Sequence, residues 1–240
     1  TFTPYDYWRR RHAMHHACSG DLDRRGKSGE ILTMTVEEYR NASRLRRLHY
    51  RVYRHPLVLF GIGAFCHFVI RQRFTFQVPK PWKKERWSVH GTNAGLLLLG
   101  LVMGCLIGPW KLIILEIPVL SLAAGVGVWL FYMQHQYEDA FWAQGEDWDY
   151  VKAALAGSSY YRLPKILQWF TGSIGLHHIH HLDARIPNFR LQQCYDGNAE
   201  LQQVHEFSLL ESISCLRAKL WDEEQQKMVG FEIARQKRKI

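Results

Sequence analysis

Residues 91–133 read GTNAGLLLLGLVMGCLIGPWKLIILEIPVLSLAAGVGVWLFYM and contain two apolar runs, 91–110 and 112–133. Each run is long enough to cross a bilayer as a helix. Only a short stretch from Gly108 to Lys111 separates the regular parts of the two runs, so we predict a transmembrane helical hairpin with a tight turn. Gly100, Gly104 and Gly108 form a stripe at four-residue spacing, which predicts a close approach of the two helices.

The charge distribution agrees with a membrane location. The 240 residues are 47% hydrophobic yet carry a net charge of +9, and apolar and basic residues occupy different stretches. A basic excess is typical of proteins that bind nucleic acid, a membrane surface or an acidic partner, and the long apolar runs favour the membrane over nucleic acid. Lysines and arginines flank the open end of the hairpin, which we therefore expect to face the cytoplasm. The five cysteines show no paired spacing and are interpreted as reduced thiols.

The first 71 residues contain one predicted helix and one short apolar segment. Thr35 and Glu38 have the spacing of a capping box, which predicts a basic amphipathic helix reaching about Arg54. Its arginines fall at steps of three and four and would form one stripe: Arg40, Arg44, Arg47, Arg51 and Arg54. That stripe is typical of a solvated face, a lipid-phosphate contact or a docking face for an acidic electron-transfer partner. Segment 56–71 would rise only ~22 Å over its apolar part, less than the ~30 Å hydrocarbon layer, so we expect it to be interfacial or re-entrant.

Histidines recur with the same spacing at two distant places. RHAMHHA contributes His12, His15 and His16, and GLHHIHHL contributes His177, His180 and His181. Positions i, i+3 and i+4 share one face of a helix, so each motif would present three imidazoles in one direction. His135 lies where the second apolar run ends, among polar residues that are costly at that depth. Seven imidazoles exceed the needs of one tetrahedral zinc and predict two metal ions.

These histidines can meet only if they lie on one side of the membrane. A hairpin at 91–133 allows this, whereas a third span at 56–71 would separate His12 from His135. We therefore predict an all-α membrane protein with the hairpin at 91–133 and an interfacial helix at 56–71. A cytosolic helical cap would consist of residues 1–55 and 134–240 and end in charged helices from about Leu201.

Three stretches resemble the membrane fatty acid desaturases, in particular bacterial acyl-lipid desaturases of the omega-6 (delta-12) type. They are YWRRRHAMHHACSGDLDRRG, WLFYMQHQYEDAFW and TGSIGLHHIHHLDARIPNFRL, and the likeness covers nearly the whole chain. The resemblance implies that His12, His15 and His16 are the family's second histidine box, and that His177, His180 and His181 are its third. His135 matches the family's lone histidine after the last span. The chain departs from the family at two places. The family's first histidine box would lie upstream of these residues, so we expect an N-terminally truncated enzyme that lacks two iron ligands. Ser173 stands where the family has Asn.

The resemblance also implies the chemistry. A di-iron centre would use O₂ and external electrons to place a cis double bond in a lipid-linked acyl chain, with ferredoxin or cytochrome b5 as donor and no catalytic residue beyond the metal ligands. Glu138 and Asp139 would accept the second N–H of ligand imidazoles, and His178 would support the site without ligating. The protein would be integral to the membrane, most simply a bacterial inner membrane, with its boxes on the cytoplasmic face.

Two other function classes remain open from the sequence. A related di-iron hydroxylase or carotenoid ketolase would have similar histidine spacing. A zinc-binding membrane protein would also use histidine clusters, although it would be expected to carry polar residues along its spans, and these spans are almost wholly apolar.

Overall fold

The computed structural model describes residues 2–26 and 29–235, which form two compact units. Of these residues, the first unit comprises 2–13 and 49–129, and the second comprises 14–26, 29–48 and 130–235. The α-helices, in chain order, are α1 Tyr5–Cys18, α2 Val36–Asn41, α3 Arg44–Tyr53, α4 Gly63–Phe65, α5 Lys83–Ile107, α6 Pro109–His135, α7 Tyr150–Leu155, α8 Lys165–Phe170, α9 His177–Leu182 and α10 Asn188–Asp196. The strands are β1 Met34–Thr35, β2 Tyr160–Arg162, β3 Glu206–Ser208, β4 Leu220–Asp222 and β5 Lys227–Val229.

The first unit contains two helices long and apolar enough to cross a membrane, α5 and α6. Gly108 ends α5 with a φ of 91°, a left-handed conformation that costs glycine little, and Pro109 begins α6. Almost none of the residues within their apolar windows is buried. Exposed leucine and isoleucine at this density suit hydrocarbon as solvent, so the two predicted spans and their tight turn are confirmed as helices of membrane-spanning length.

The predicted close approach of the two helices along the glycine stripe is wrong. A Cβ added at Gly100 would meet nothing within 4 Å, and one added at Gly104 would meet only the Cα of Pro109, at 4.0 Å. The tight contact lies instead at Gly125 of α6, where a Cβ would come within 2.6 Å of the Phe60 carbonyl oxygen. The rings of Phe60 and Trp129 also pack there, with centroids 5.2 Å apart.

Because Gly125 has no side chain, the apolar segment that precedes α5 can pack closely against α6 at this point. This segment is irregularly wound: Leu57–Ile62 and Cys66–Ile70 are π-helical, Gly63–Phe65 is α4, and Arg71–Arg73 is a 3₁₀ turn. It meets α3 at a bend of 63°, which is compatible with either a broken span or a re-entrant loop.

The capping box at Thr35 is confirmed, but the helix it begins is shorter than predicted. The Thr35 hydroxyl accepts from the Glu38 backbone N–H, and the Glu38 carboxylate accepts from the Thr35 backbone N–H. Helix α2 then ends at Asn41, because Ala42 is extended and the Ser43 hydroxyl caps a new helix by accepting from the Arg46 N–H. The break means that the five arginines do not form one continuous stripe.

Two of those arginines are also buried or engaged. Arg54 is fully buried, and the Arg40 guanidinium donates to the Ile233 carbonyl at 3.0 Å. Of the three predicted arginines that lie on α3, Arg44 is exposed and Arg47 and Arg51 are half-buried, so the predicted five-arginine face is wrong.

The second unit combines short helices with two small sheets, so the all-α prediction needs correction to mostly helical. Strands β1, β4 and β5 form one sheet in that order, with β1 parallel and β5 antiparallel to β4. Strands β2 and β3 form a parallel pair, with Tyr161 opposite Phe207. Leu176, Ile179 and Leu191 form a buried hydrophobic cluster at α9 and α10.

The charged C-terminal helices predicted from about Leu201 are also wrong for the part that the structure describes. Residues 199–235 form 3₁₀ turns, strand β3 and the β4–β5 hairpin. The Asp222 carboxylate accepts from the backbone N–H groups of Glu224 and Gln225, a local bond that favours a turn over a helix. Residues 236–240 of the predicted basic end lie outside the described residues.

Candidate metal centre

Four histidines from three remote stretches converge in the second unit, and we call them the inner group: His15, His135, His177 and His181. His15 lies in the last turn of α1, His135 ends α6, and the other two lie on α9. His135 Nε2 is 3.1 Å from His15 Nε2 and 3.0 Å from His177 Nε2. One ring nitrogen from each of the four lies within 4.8 Å of those of the other three.

The ring of His135 is held in one tautomer. Its Nδ1 lies 3.0 Å from the Gly157 carbonyl oxygen, which can only accept, so Nδ1 carries the proton and donates. Its Nε2 then has an unprotonated lone pair directed at the other imidazoles. A fixed outer hydrogen bond of this kind is the usual way to orient a metal-ligating histidine.

The inner group is buried. Its members expose between 1% and 7% of their surface. Burial, reinforced by the neighbouring imidazoles, holds the pKa values of His177 and His181 well below that of free histidine. His181 Nε2 is buried and has no hydrogen-bond partner among the described residues. Neutral imidazoles, converging lone pairs and an unsatisfied ring nitrogen are what a bound cation would require, so these residues fit a metal.

A second set of imidazoles lies next to the inner group. We call His16 and His180 the outer pair: their ring centroids are 4.5 Å apart, and the His16 ring stacks on His181 at 4.1 Å. His180 is partly exposed, unlike its neighbours on α9. His12 precedes His16 by one turn of the continuous helix α1, which puts both on one face of that helix. Trp8 stacks on His12 with centroids 4.8 Å apart.

The sequence interpretation missed a buried carboxylate beside His15. Glu30 Oε1 lies 3.6 Å from His15 Nδ1, and both side chains are almost fully buried. Burial raises the pKa of Glu30 to about 8, and a cation in the inner group would favour its ionised form. The sequence alone gives little sign of a role for Glu30. It follows the DLDRRG loop at 21–26, and its neighbours do not distinguish it from a surface residue.

The carboxylates that the sequence suggested do not reach the histidines. Glu138 and Asp139 are exposed, and both pair with Lys227, at 3.3 and 3.4 Å. Helix α6 ends at His135, so Glu138 and Asp139 lie beyond the helix and do not continue the face that carries His135. Glu30, 3.6 Å from His15 Nδ1, is the carboxylate that lies beside a histidine of the inner group.

His178 faces away from the other imidazoles. Its Nε2 donates to the Leu201 carbonyl at 3.0 Å, and its ring packs near Tyr160 and Tyr195. This contact ties α9 to the following 3₁₀ turn. The turn before α9 contains Ser173, whose φ of 58° is left-handed. Asn adopts this conformation more readily than Ser, which explains why the family has Asn at this position.

Aromatic side chains border the inner group. The Phe131 ring lies 5.0 Å from that of His15 and 5.3 Å from that of His135. Phe131, Phe141 and Trp142 line a small cavity that also reaches His135 and Glu30. The site thus has an apolar wall on one side and a carboxyl group on another.

Comparison with known proteins accounts for this arrangement. The family model described as "Fatty acid desaturase" matches residues 1–210. The chain belongs to the fatty acid desaturase family. Because the match covers most of the chain, both histidine motifs and His135 lie inside the part that defines the family.

Several curated relatives of this desaturase-family chain are similar over most of its length. A fatty acid desaturase of Bacillus subtilis is 40% identical over 96% of the chain and 65% of the relative. An sn-1 acyl-lipid omega-3 desaturase (ferredoxin) of Nostoc is 26% identical over 78% of the chain and 52% of the relative, and one of Synechocystis is 25% identical over 81% and 54%. The chain therefore spans about half to two thirds of the length of these relatives. The names of these relatives give either the omega-3 position or no position for the double bond, so the omega-6 (delta-12) type stays a prediction.

Proposed function

We propose that this chain is the histidine-bearing part of an acyl-lipid desaturase that places a cis double bond in a lipid-linked acyl chain, using a di-iron centre, O₂ and external electrons. The observation that carries the proposal is the convergence of His15, His135 and His177, which lie 120 and 42 residues apart in the chain yet bring their Nε2 atoms within about 3 Å. Ring nitrogens that converge from three remote stretches of chain are an arrangement that a shared metal ion can use, because each neutral imidazole offers it a lone pair.

Each part of the site would have a distinct task. The inner group would hold one iron, and the outer pair together with His12 would contribute to the second. Bound iron would activate O₂, the oxidant that removes two hydrogens from an unactivated methylene and is reduced to water with two electrons from the donor. Gly157 fixes the ring of His135, Glu30 orients that of His15, and Phe131, Phe141 and Trp142 keep water from the reacting carbon.

The same convergence supports a membrane topology. His15 and His135 are in contact, so the chain between them must cross the bilayer an even number of times. Helices α5 and α6 already provide two crossings. Segment 57–73 would then be re-entrant or interfacial, and the excess of Lys and Arg at the open end supports a cytoplasmic location of the histidines.

The electron donor would be an acidic redox protein. Two of the relatives are named as ferredoxin-dependent, which supports ferredoxin, and cytochrome b5 is the alternative that the family implies. Arg44 and Arg46 of α3 are exposed and would add positive charge that attracts an acidic donor.

The decisive experiment is expression of the full-length protein in a bacterium that lacks desaturases, with analysis of its fatty acids and of the metal in the purified protein. We expect a new double bond and iron, and neither with His135→Ala. A hydroxylated fatty acid would instead identify a di-iron hydroxylase. Zinc in the purified protein would favour a zinc-binding membrane protein, since four imidazoles also suit a tetrahedral zinc.

A further inference from the structure

Helix α8 exposes most of its large apolar side chains. Ile166, Trp169 and Phe170 are each more than two-thirds exposed, although the helix belongs to the second unit and is far shorter than a membrane span. The Trp169 and Phe170 rings contact each other, with centroids 4.9 Å apart. Soluble surfaces rarely expose neighbouring rings in this way, and such patches mark interaction sites.

Other apolar side chains extend this surface. Strands β2 and β3 are parallel and pair Arg162 with Ser208, so α8 and the segment after β3 leave the ladder at the same end. That second segment exposes Leu210 and Ile213. The turn after α8 also approaches α10, because a Cβ added at Gly172 would lie 3.2 Å from Asn188 Nδ2, next to the exposed Phe189.

We define the α8 patch as the apolar side chains of α8, of the segment after β3 and of the start of α10 that expose between 56% and 80% of their surface: Ile166, Trp169, Phe170, Phe189, Leu210 and Ile213. Three exposed cations belong to the same segments or flank them, Arg162, Lys165 and Arg190, and they outnumber the exposed Glu211 between Leu210 and Ile213. Aromatic and aliphatic side chains beside Lys and Arg match the boundary between acyl chains and anionic headgroups.

We propose that the α8 patch inserts into the cytoplasmic leaflet of the bilayer as an interfacial anchor, separate from the spanning helices. The proposal rests on the proposed function, because a lipid-linked substrate must reach the histidines from that leaflet. The occupant is a lipid surface and not a protein because the patch is rich in Trp and Phe, has a basic border, and belongs to a chain already held at a membrane by α5 and α6.

The anchor is rigidly connected to the metal ligands. The Ser173 N–H donates to the Gln168 carbonyl at 2.7 Å, and the Tyr161 N–H donates to the Gly175 carbonyl at 2.8 Å. Helix α9 begins two residues later with His177. Insertion of α8 would therefore set the depth of α9 relative to the acyl chains, and the anchor would position the ligands without contacting them.

Spin-label accessibility tests the insertion directly. Phe170→Cys and, as a control, Val151→Cys on the exposed face of α7 are made in the full-length protein with Cys66, Cys105 and Cys194 replaced by Ala; Cys18 and Cys215 are buried. The labelled proteins are reconstituted in vesicles of phosphatidylcholine and phosphatidylglycerol. We expect the label at 170 to collide mainly with lipid-soluble oxygen and the label at 151 mainly with a water-soluble nickel chelate.

Two outcomes would overturn the proposal. Accessibility of position 170 to the nickel chelate would place the patch in water. Protection from both reagents would mean that protein covers it, either a second copy or another part of the full chain. The measurement does not depend on turnover. A lipid-exposed label in a protein that makes no double bond would therefore contradict the proposed function and leave the anchor supported.

A kinetic measurement then tests the positioning role. We expect Trp169→Ser combined with Phe170→Ser to raise the apparent KM for vesicle-borne substrate about fivefold or more, because two large apolar side chains no longer partition into the leaflet. The kcat and the iron content should match those of a Val151→Ser control. Loss of iron from the double variant would show that the patch serves folding of the site, and would contradict an anchor.

Discussion

The inner group and the outer pair use the same side chain in different surroundings. His135 has a fixed tautomer and full burial, and its neighbours His177 and His181 have depressed pKa values. His180 of the outer pair is partly exposed although it lies on the same short helix as His177 and His181. Position on α9 decides this difference, because residues 177 and 181 are one turn apart and face inward together, whereas residue 180 is rotated toward the edge.

The difference teaches that a repeated motif need not create two equal sites. A buried group of imidazoles has little hydration to lose when it binds a cation, and the ring of His135 is already oriented. The outer pair has one partly exposed member, His180, which remains in contact with water. We therefore expect tighter metal binding by the inner group, and the following changes would break or sharpen that contrast.

Removal of His135 should have the largest effect. His135→Ala deletes the ring whose Nε2 contacts both His15 and His177, so we expect iron to be lost and desaturation to fall by more than the roughly 100-fold that changes outside the ligand set cost. Metal analysis and fatty-acid analysis of the full-length protein check this. His49→Ala, an exposed histidine on α3, is the matched control, and equal iron in the two variants would contradict the inner group.

Removal of His180 should have a smaller effect on metal content. His180→Ala leaves all four imidazoles of the inner group in place, so we expect the purified protein to retain about half of its iron while its activity is abolished. Iron quantified per polypeptide distinguishes this result. Complete loss of iron would show that the two sets fill only together and that the contrast drawn here is false.

Glu30 should matter less than either ligand. Glu30→Gln keeps the size of the side chain but removes the charge 3.6 Å from His15 Nδ1, so we expect iron affinity to fall by about 10- to 100-fold. Chelator competition on the loaded protein gives the affinity, with the exposed Glu146→Gln as control. An unchanged affinity would reduce Glu30 to a packing residue.

Changes at Glu138 and Asp139 should have almost no effect. Both carboxylates are exposed and bind Lys227, so Glu138→Gln with Asp139→Asn should change the free energy of unfolding by about 1 kcal/mol or less and leave iron content unaltered. Chemical denaturation and metal analysis measure the two quantities. A fall in iron would restore the role that the sequence suggested for these residues.

Much of this protein could be read from the sequence. The two spans follow from length and hydropathy, because hydrocarbon forces the backbone to satisfy its hydrogen bonds within each helix. The seven histidines stand out because imidazoles at matched spacing are a poor packing solution. The capping box at Thr35 is equally local, since it joins residues three apart.

Only the tertiary structure decided which groups support those histidines and where the helices end. Glu30 meets His15 through a loop, and Gly157 meets His135 through a turn, so neither partner has a sequence signal of its own. Ser43 ends one helix by capping the next, Asp222 prefers a turn to a helix, and Gly125 rather than Gly100 receives a neighbouring backbone. The physical reason is that periodicity reports which face of an element is apolar or polar, whereas contacts between distant segments depend on how those faces are packed together in space.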